Sequence, residues 1–540
     1  MTNLTRRSLL GTAAASIVAP GAAGAAVASA AAVLPRGMSR DRFLSAVAEY
    51  RAVVGADNVF VDEERLVSYR KIMIPAPDAA HAAAGAVAPG SVEEVRAIVA
   101  ISARHRIPLW TVSTGKNFGY GTAAPARPGQ VVLDLRRMDR ILDFDPVLGT
   151  VLIEPGVTYQ KLADFLEANG NQYIVTGPGA GPIVGPMGQA LERGRGYTPY
   201  GDQFAHICGL EVVLATGELL RTGAGGIEGS KAWQADQYGF GPVLTGLFSQ
   251  SNFGVVTKMG LWLMPKPEVF KPFLVGFREH ADIGRAVEIV QKLRLRGVIQ
   301  NSVVIGNTMY IVAQMVRREQ VFKGEGAVTD EWHSAFMKDK GGFIWGVNAA
   351  LYGSEARVAA DWQTVQEAFR DSGGIVLGDE QLGPDPIWHH MRGLMSGKLS
   401  LQEYAIYNWR GGGGSAWFAP VMASRGADAL KTMELGKSIV RSHGFDYLGG
   451  YLVNPRDMVQ VIDVLFDRRD VEQTARAHRC FAELVSRYGA QGYGLYRTNI
   501  AFMDAAAQVY GATQRDVNRR LKKALDPLGI LAPGKSGIAV

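Results

Sequence analysis

Short apolar runs alternate with amphipathic stretches along most of this 540-residue chain. Apolar residues at helical spacing predict a helix within residues 40–70 and a second helix after Ser91, where Glu94 completes a capping-box pattern. Continuous apolar runs at residues 107–112 and 131–135 predict two buried strands. The first half of the chain is therefore predicted to mix helices with a sheet.

After residue 268 the same alternation continues with a new set of elements. Strand-like runs at residues 272–277, 307–314 and 451–458 alternate with helical patterns at residues 283–296, 356–371 and 471–488. Two prolines, Pro265 and Pro267, mark the change. Because 540 residues exceed what a single core usually organises, the sequence predicts an α+β chain of two or three domains.

A glycine-rich loop, STGKNFGYG at residues 113–121, joins the two strands predicted in the first half. Glycine permits positive φ angles and close backbone approach, so consecutive N–H groups can converge on an anion. The loop therefore predicts a phosphate or diphosphate cradle, and a plain strand connection is the structural alternative. It matches neither the dinucleotide fingerprint nor the P-loop, because both the glycine spacing and the following helix differ.

Composition narrows the class of protein and its compartment. A net charge of +6 is small for this length and argues against a dedicated nucleic-acid-binding protein. The two cysteines, Cys208 and Cys480, are expected to be buried free thiols rather than a disulfide, and no CxxCH haem-attachment motif occurs.

The N-terminus has the pattern of an export signal. Paired arginines, Arg6 and Arg7, precede an Ala-rich run and an Ala-Ser-Ala cleavage pattern at residues 28–30. This segment, residues 1–30, resembles a twin-arginine (Tat) signal, which would make the mature protein periplasmic without a membrane span. An uncleaved membrane anchor is the alternative.

Several longer segments occur in the order found in one flavoprotein family. They are the glycine loop, GYTPYGD (196–202), GLFSQSNFGVVTK (246–258), YRTNIAFMD (496–504) and DPLGILAPGKSG (526–537). Together they resemble the vanillyl-alcohol oxidase/para-cresol methylhydroxylase flavoproteins, and most closely the methylhydroxylase branch.

The resemblance implies an α+β fold with an FAD-binding domain of the para-cresol methylhydroxylase (PCMH) type at residues 40–265. A ferredoxin-like α+β cap would span residues 266–492, and residues 493–540 would complete the FAD domain and the active site. The family further implies a homodimer of the flavoprotein.

The stretch NWRGGGGSAWFAP (408–420) carries the distinction between the two branches. In the oxidase branch a histidine bonds covalently to the flavin 8α-methyl group, and Ser415 occupies the matching position here. The methylhydroxylase branch uses a tyrosine upstream of the glycines, which Tyr407 matches. The resemblance therefore implies an 8α-O-tyrosyl FAD at Tyr407, with ordinary core packing of this tyrosine as the alternative.

The resemblance also assigns roles to further residues. It implies a phenolate site made by Tyr120, Tyr496 and Arg497, with Glu403 and Asp463 as nearby catalytic acids. Tyr197, Gly450 and Val459 match pocket positions, and the last two replace a family Glu and His, which predicts a roomier and more apolar pocket. No metal is expected. The residues implied to hold FAD, besides Tyr407, are Gly115, Lys116, Asn117, Phe118, Gly119, Gly121, Gly196, Arg497 and Lys535.

These roles predict a dehydrogenase that hydroxylates para-alkylphenols. The ionised phenol would lose a benzylic hydride to flavin N5, water would add to the resulting quinone methide, and a c-type cytochrome partner would take the electrons. The smaller residues at two pocket positions favour a phenol bulkier than para-cresol, such as an alkylguaiacol, a eugenol-like phenol or a lignan-type phenol.

Three other functions remain as alternatives. An oxidase of the same fold would pass the electrons to O2 and release peroxide. A sugar or hydroxy-acid flavoenzyme would share the FAD domain but would lack a purpose for Tyr120, Tyr496 and Arg497. A flavin carrier without turnover would likewise leave these three residues unexplained.

Overall fold

The computed structural model describes residues 33–179 and 181–540. Residues Val33–Val540 form one compact unit. The predicted export signal, residues 1–30, lies outside the described residues. Within the described part of the chain, no helix is long and apolar enough to cross a membrane.

A four-stranded sheet carries the glycine-rich loop. Its strands run in the order β1-β2-β4-β3, with β4 parallel to both β2 and β3 and with β1 antiparallel to β2. The strands are β1 (Val59–Phe60), β2 (Gly85–Val87), β3 (Leu109–Val112) and β4 (Val131–Asp134), and the associated helices are α1 (Arg40–Val54), α2 (Glu63–Arg70) and α3 (Val92–His105).

The start of α3 follows the sequence prediction. The Ser91 hydroxyl accepts the N–H of Glu94 at 3.2 Å, which satisfies one of the free donors at the helix start. Val95, Ile98 and Val99 on α3 are fully buried beside β3 and β4. This packing fixes the strands from which the glycine loop emerges.

A five-stranded antiparallel sheet follows, in the order β5-β6-β10-β8-β9, with a separate β7-β11 pair. Its strands are β5 (Ile141–Asp145), β6 (Thr150–Ile153), β8 (Ile207–Val213), β9 (Leu219–Arg221) and β10 (Val255–Trp262); the pair is β7 (Tyr173–Ile174) and β11 (Met264–Pro265), and the helices are α4 (Tyr159–Ala168) and α5 (Pro186–Leu191).

The third sheet is antiparallel throughout and larger than the others. Its order is β15-β12-β14-β13-β18-β19-β16, and β17 also pairs with β19. Its strands are β12 (Val269–Phe277), β13 (Val303–Asn307), β14 (Trp345–Gly353), β15 (Ile375–Gly378), β16 (Gly414–Phe418), β17 (Val421–Ala423), β18 (Gly449–Val453) and β19 (Asp457–Phe466).

Nine helices accompany this sheet within the described residues. They are α6 (Asp282–Leu295), α7 (Thr308–Met315), α8 (Arg318–Val321), α9 (Asp330–Asp339), α10 (Glu355–Phe369), α11 (Asp379–Leu382), α12 (Pro386–Met395), α13 (Gly426–Ser442) and α14 (Val471–Ala490). Buried faces of α6, α10, α13 and α14 share one apolar core with the sheet. The helices predicted at 283–296, 356–371 and 471–488 are therefore present.

One predicted strand is wrong. Residues 307–314 read as a strand in the sequence, but the chain leaves β13 at Asn307 and continues as helix α7. The Asn307 side chain accepts the N–H of Met309 at 2.9 Å and so caps the helix start. The β-branched and aromatic residues that favoured a strand, including Tyr310 and Ile311, instead lie on this helix.

The C-terminal segment contains α15 (Met503–Gln508) and α16 (Ala512–Leu525) and then joins the first sheet. Leu109 of β3 donates its N–H to Ile530 and accepts the N–H of Ala532, both at 2.7 Å. The predicted boundaries near residues 265 and 492 stay a prediction, although the last 48 residues do return to the strand that precedes the glycine loop.

A fully buried ion pair holds this segment in place. Lys522 and Asp526 are both buried, with Nζ 2.6 Å from Oδ2. The Lys522 ammonium also donates to the carbonyls of Asn252 and Leu531, each at 2.7 Å. Asp526 accepts the N–H groups of Ile530 and Leu531.

The Lys522→Met variant is expected to lose about 3–5 kcal/mol of unfolding free energy, because Asp526 would remain buried without its cation. Chemical denaturation of the purified protein measures this loss. The matched control is Lys523→Met, since Lys523 is the exposed neighbour on the same helix. Equal stability of the two variants would contradict the role given to the buried pair.

Candidate active site

A cavity of about 310 Å³ is lined by residues from the three larger sheets and from the C-terminal segment. Its walls come from the glycine loop, from residues 178–197, from a short 3₁₀ helix at Gln402–Asn408, from strands of the third sheet and from the C-terminal segment. The predicted site residues that line it are Gly115, Lys116, Asn117, Phe118, Tyr120, Tyr197, Glu403, Tyr407, Tyr496, Arg497 and Lys535.

The glycine loop presents unpaired backbone donors to this cavity. Among the described residues, none of the N–H groups from Gly115 to Gly119 donates a hydrogen bond. The loop is closed instead by Asn117, whose carbonyl accepts the N–H groups of Tyr120 and Thr122 at 3.1 and 3.0 Å. Gly115 has φ 64°, the left-handed conformation that suits glycine. These features fit the predicted anion cradle.

Three predicted cofactor glycines lie behind the cavity wall rather than on it. A Cβ at Gly119 would lie 2.3 Å from Trp417 Cδ1, and one at Gly121 would lie 2.7 Å from Ile500 Cδ1. At Gly196 a Cβ would lie 2.5 Å from a methyl group of Thr176. The structure therefore gives these glycines a packing role, because they let neighbouring segments approach the loop.

Tyr120, Tyr496 and Arg497 form one cluster, as predicted. The guanidinium carbon of Arg497 lies 4.0 Å from the centroid of the Tyr120 ring and 5.6 Å from that of Tyr496. Arg497 also donates to Gln189 Oε1 at 3.3 Å, while its Nε is buried without a described partner. A permanent cation with an unused donor is thus held beside the rings of two tyrosines.

Burial and the neighbouring groups set the pKa values of Tyr120 and Arg497. Burial raises the pKa of Tyr120, the Arg497 charge opposes that rise, and neighbouring Tyr496 adds to it. Burial lowers the pKa of Arg497, but interaction with Tyr120 and Tyr496 more than offsets burial, and the pKa is raised. Tyr120 is therefore a neutral hydrogen-bond donor at neutral pH, next to a charged guanidinium.

The 3₁₀ helix Gln402–Asn408 places Glu403 and Tyr407 at the cavity. The Tyr407 hydroxyl accepts a 3.4 Å hydrogen bond from Trp417 Nε1, and its ring stacks on Tyr404 with centroids 5.9 Å apart. Burial raises the pKa of Tyr407 well above its usual value, with the nearby Asp463 carboxyl contributing. Burial also raises the pKa of Glu403, although a hydrogen bond from Tyr310 opposes the rise.

Asp463 is completely buried on β19 and does not line the cavity. Ser415, on the paired strand β16, donates to Asp463 Oδ1 at 2.8 Å, and Oδ2 has no described partner. Burial raises the pKa of this carboxyl to about 8, and the Ser415 hydrogen bond only partly opposes the shift. The predicted catalytic acid thus lies behind the wall, where it is hydrogen-bonded to Ser415, while Trp417 of the same strand β16 lines the cavity.

Gly450 and Val459 do not line the cavity either, so these two positions do not make the pocket roomier, although the sequence predicted that they would. A Cβ at Gly450 would lie 2.6 Å from the Ile305 carbonyl oxygen of the adjacent strand, so close strand packing accounts for the glycine. Leu452 and Val461, two residues further along the same strands, form the apolar wall instead.

Lys535 reaches the cavity from the C-terminal segment. Its ammonium pairs with Glu192 and lies 5.8 Å from the centroid of the Trp110 ring. Sequence reasoning missed Glu192, Gln189, Tyr310 and Trp417. Trp417 occurs within the NWRGGGGSAWFAP stretch, but Tyr310 gave no signal because its segment read as a strand.

The unpaired polar groups of the cavity fit FAD, a cofactor with an anionic diphosphate and a polar ring. Besides the free N–H groups of the glycine loop, lining residues carry buried polar atoms without a described partner: Arg195 Nε, Asn252 Oδ1, Tyr404 Oη and Arg497 Nε. Buried polar atoms are seldom left unpaired in native proteins. Their clustering here indicates a ligand with matching acceptors and donors.

Comparisons with known proteins agree with this fit. The profile of the FAD binding domain family matches residues 83–223. The 4-cresol dehydrogenase (hydroxylating) flavoprotein subunit of Pseudomonas putida is 45% identical over 509 residues, which cover 94% of this chain and 98% of that protein.

Two solved structures are similar over nearly the whole chain. A crystal structure of p-cresol methylhydroxylase with substrate bound matches with a TM-score of 0.93 and 45% identity, over 94% of this chain and 99% of that one. A 4-ethylphenol oxidase from Gulosibacter chungangensis, in an isoeugenol complex, matches with a TM-score of 0.91 and 33% identity, over 94% and 99%. The α+β fold is therefore confirmed, and the chain belongs to the vanillyl-alcohol oxidase/para-cresol methylhydroxylase family of FAD-dependent oxidoreductases.

Proposed function

We propose that this chain is a 4-alkylphenol dehydrogenase that hydroxylates the benzylic carbon of its substrate. The observation that carries the proposal is the cluster of Arg497 with Tyr120 and Tyr496, in the same cavity as the carboxyl group of Glu403. The cluster around Arg497 has the charge and the donors to bind a phenolate. The Glu403 carboxyl group can accept the proton that is released in the hydroxylation.

Arg497 and the two tyrosines would bind the substrate oxygen as an anion. A free phenol has a pKa of about 10, so most of it is neutral at pH 7. A cation and two hydroxyl donors in a desolvated site stabilise the phenolate far more than the phenol. The negative charge then spreads into the ring and weakens the benzylic C–H bond. FAD, when bound, supplies the acceptor for the hydride.

Glu403 would take the proton from the water that adds to the benzylic carbon. Its carboxyl lines the cavity, and burial moves its pKa upward, toward the operating pH, where general bases are most effective. Asp463 does not reach the cavity, so it would act only indirectly, through its hydrogen bond with Ser415 and its charge near Tyr407.

Tyr407 is the proposed site of covalent FAD attachment, as an 8α-O-tyrosyl bond. Its hydroxyl lies at the cavity beside Trp417, and the serine at position 415 offers no nitrogen for the alternative bond. Lys116, Asn117 and Phe118 in the glycine loop, together with Lys535, are proposed to hold the rest of the cofactor.

The electron acceptor is proposed to be a separate c-type cytochrome. The chain has no CxxCH motif, so the haem would belong to another chain, and the Pseudomonas putida relative is named a flavoprotein subunit. A homodimer of the flavoprotein and Tat export to the periplasm complete the proposal. The similar 4-ethylphenol oxidase keeps O2 as the alternative acceptor.

Substrates longer than para-cresol are proposed because Leu452, Val461 and Trp417 make the cavity wall apolar. The isoeugenol complex of the related oxidase supports this choice. Each buried methylene contributes about 0.8 kcal/mol to binding.

The purified FAD-loaded protein is expected to convert a 4-alkylphenol to its benzylic alcohol with oxygen derived from water. Turnover of para-cresol, 4-ethylphenol and 4-propylguaiacol in H₂¹⁸O, with cytochrome c or O2 as acceptor, measures this. We expect kcat/KM about 4-fold higher per added methylene. Incorporation of oxygen from O2 would contradict the hydroxylation route, peroxide formation would favour the oxidase, and a clear preference for para-cresol would overturn the size proposal.

A further inference from the structure

Tyr310 lies directly behind Glu403 but does not line the cavity. Its hydroxyl donates to Glu403 Oε1, and within the described residues this is the hydrogen bond that the Glu403 side chain receives. Tyr310 belongs to α7, whose first turn is held by two side-chain hydrogen bonds. Asn307 accepts the N–H of Met309 at 2.9 Å, and the Thr308 hydroxyl donates to the Phe343 carbonyl at 2.7 Å. The Tyr310 hydroxyl is therefore a fixed donor.

The second carboxyl oxygen of Glu403 lies against Gly179. A Cβ built on Gly179 would lie 1.4 Å from Oε2 and 3.0 Å from the hydroxyl oxygen of Tyr197. Gly179 thus leaves the space that Oε2 occupies, and both Gly179 and Tyr197 line the cavity. Oε1 is engaged from behind, while Oε2 faces residues of the cavity and has no described hydrogen-bond donor.

We propose that Tyr310 is a positioning residue for Glu403, holding Oε1 so that Oε2 takes the proton of the attacking water. This inference rests on the proposed function. A water oxygen bonds to the benzylic carbon of the quinone methide, and the exocyclic C=C electron pair returns to the ring to restore the phenolate. The proton released by the water moves to Glu403 Oε2. The hydride step comes earlier and does not need Tyr310.

A substrate with a β-hydrogen separates these two steps. With 4-ethylphenol, the quinone methide either adds water to give the benzylic alcohol or loses a β-proton to give 4-vinylphenol. Water addition needs a precisely oriented base. The fraction of product that is alcohol therefore measures how well Glu403 is oriented. In Tyr310→Phe we expect the alcohol-to-vinylphenol ratio to fall about 10-fold, the effect of one hydrogen bond to a charged group. Anaerobic reduction of the bound flavin by 4-ethylphenol should change less than about 3-fold.

Three further variants test the route through Glu403. Glu403→Gln should lower the ratio at least as much, and adding Tyr310→Phe to it should cause no additional fall, because the two residues act as a unit. Gly179→Ala should lower the ratio by pushing Oε2 away, which provides a second route should Tyr310→Phe fold poorly. The control is Tyr352→Phe, which removes another buried tyrosine hydrogen bond, to the Met395 carbonyl, and should leave the ratio unchanged.

Each outcome decides the proposal. If Tyr310→Phe has the same alcohol-to-vinylphenol ratio as the parental enzyme, the proposal is overturned. It is also overturned if Tyr310→Phe lowers the ratio as much in the Glu403→Gln background as it does in the parental enzyme. A parental enzyme that oxidises no 4-alkylphenol removes the proposed function itself, and the positioning role with it. A parental enzyme that forms the alcohol while Tyr310→Phe and Gly179→Ala both shift toward vinylphenol supports the role.

Discussion

Replacement of Arg497 by alanine is expected to lower kcat/KM for 4-alkylphenol oxidation about 10³-fold. Arg497 is the cation next to Tyr120 and Tyr496, and its Nε has no described partner to compete with a ligand. Without it, the site would have to bind a phenolate with tyrosine hydroxyls alone in a desolvated cavity, where an unpaired anion is strongly disfavoured.

The pH dependence of the Arg497→Ala variant tests the phenolate site independently. The parental site would bind the phenol as its anion. The rate of phenol oxidation by the parental enzyme should therefore be nearly constant around pH 7. In Arg497→Ala, activity should rise with pH toward the solution pKa of the phenol, about 10, since only the phenolate fraction already present can react. Steady-state kinetics between pH 6 and pH 10 measure both effects.

Two controls accompany the measurement. Arg497→Lys keeps the charge without the planar fork and should lose less activity than the alanine variant. Arg520→Ala removes a largely exposed arginine of α16 and should leave kinetics unchanged. An Arg497→Ala enzyme that binds FAD, oxidises phenols at the parental rate and shows no rise with pH would exclude the phenolate site proposed above.

The second large effect concerns Tyr407. The Tyr407→Phe protein is expected to release all of its flavin on acid precipitation, whereas the parental protein retains it through denaturing electrophoresis. Phenylalanine keeps the ring that stacks on Tyr404 but lacks the oxygen that would form the bond. Flavin fluorescence of the gel band and peptide mass mapping measure the result.

Tyr404→Phe is the matched control for this experiment. Tyr404 lines the same cavity, lies on the same 3₁₀ helix and likewise has a buried hydroxyl, so its loss should leave the covalent flavin in place. Flavin that stays bound in denatured Tyr407→Phe, or a parental protein that releases its flavin, would refute the attachment at this tyrosine.

Local patterns in the sequence determined a large part of the architecture. The helix after Ser91, the strands on both sides of the glycine loop and the long helix predicted at residues 471–488 all follow from apolar spacing and a capping side chain. These features depend on residues within a few positions of each other, and the chain itself fixes such contacts. The family segments added the FAD cofactor and the cluster of Tyr120 with residues 496 and 497.

Tertiary structure decided the remainder, because burial and cross-chain contacts do not appear in local spacing. Residues 307–314 have strand propensity, yet the Asn307 cap makes them a helix that brings Tyr310 to Glu403, 93 positions away. Gly450 does not line the cavity, because it packs closely against the neighbouring strand. Burial raises the pKa of Asp463 to about 8, because folding removes its carboxyl from water. The sequence by itself therefore determined most of the elements, the cofactor class and the grouping of Tyr120 with residues 496 and 497, whereas packing decided which side chains reach the cavity and how they ionise.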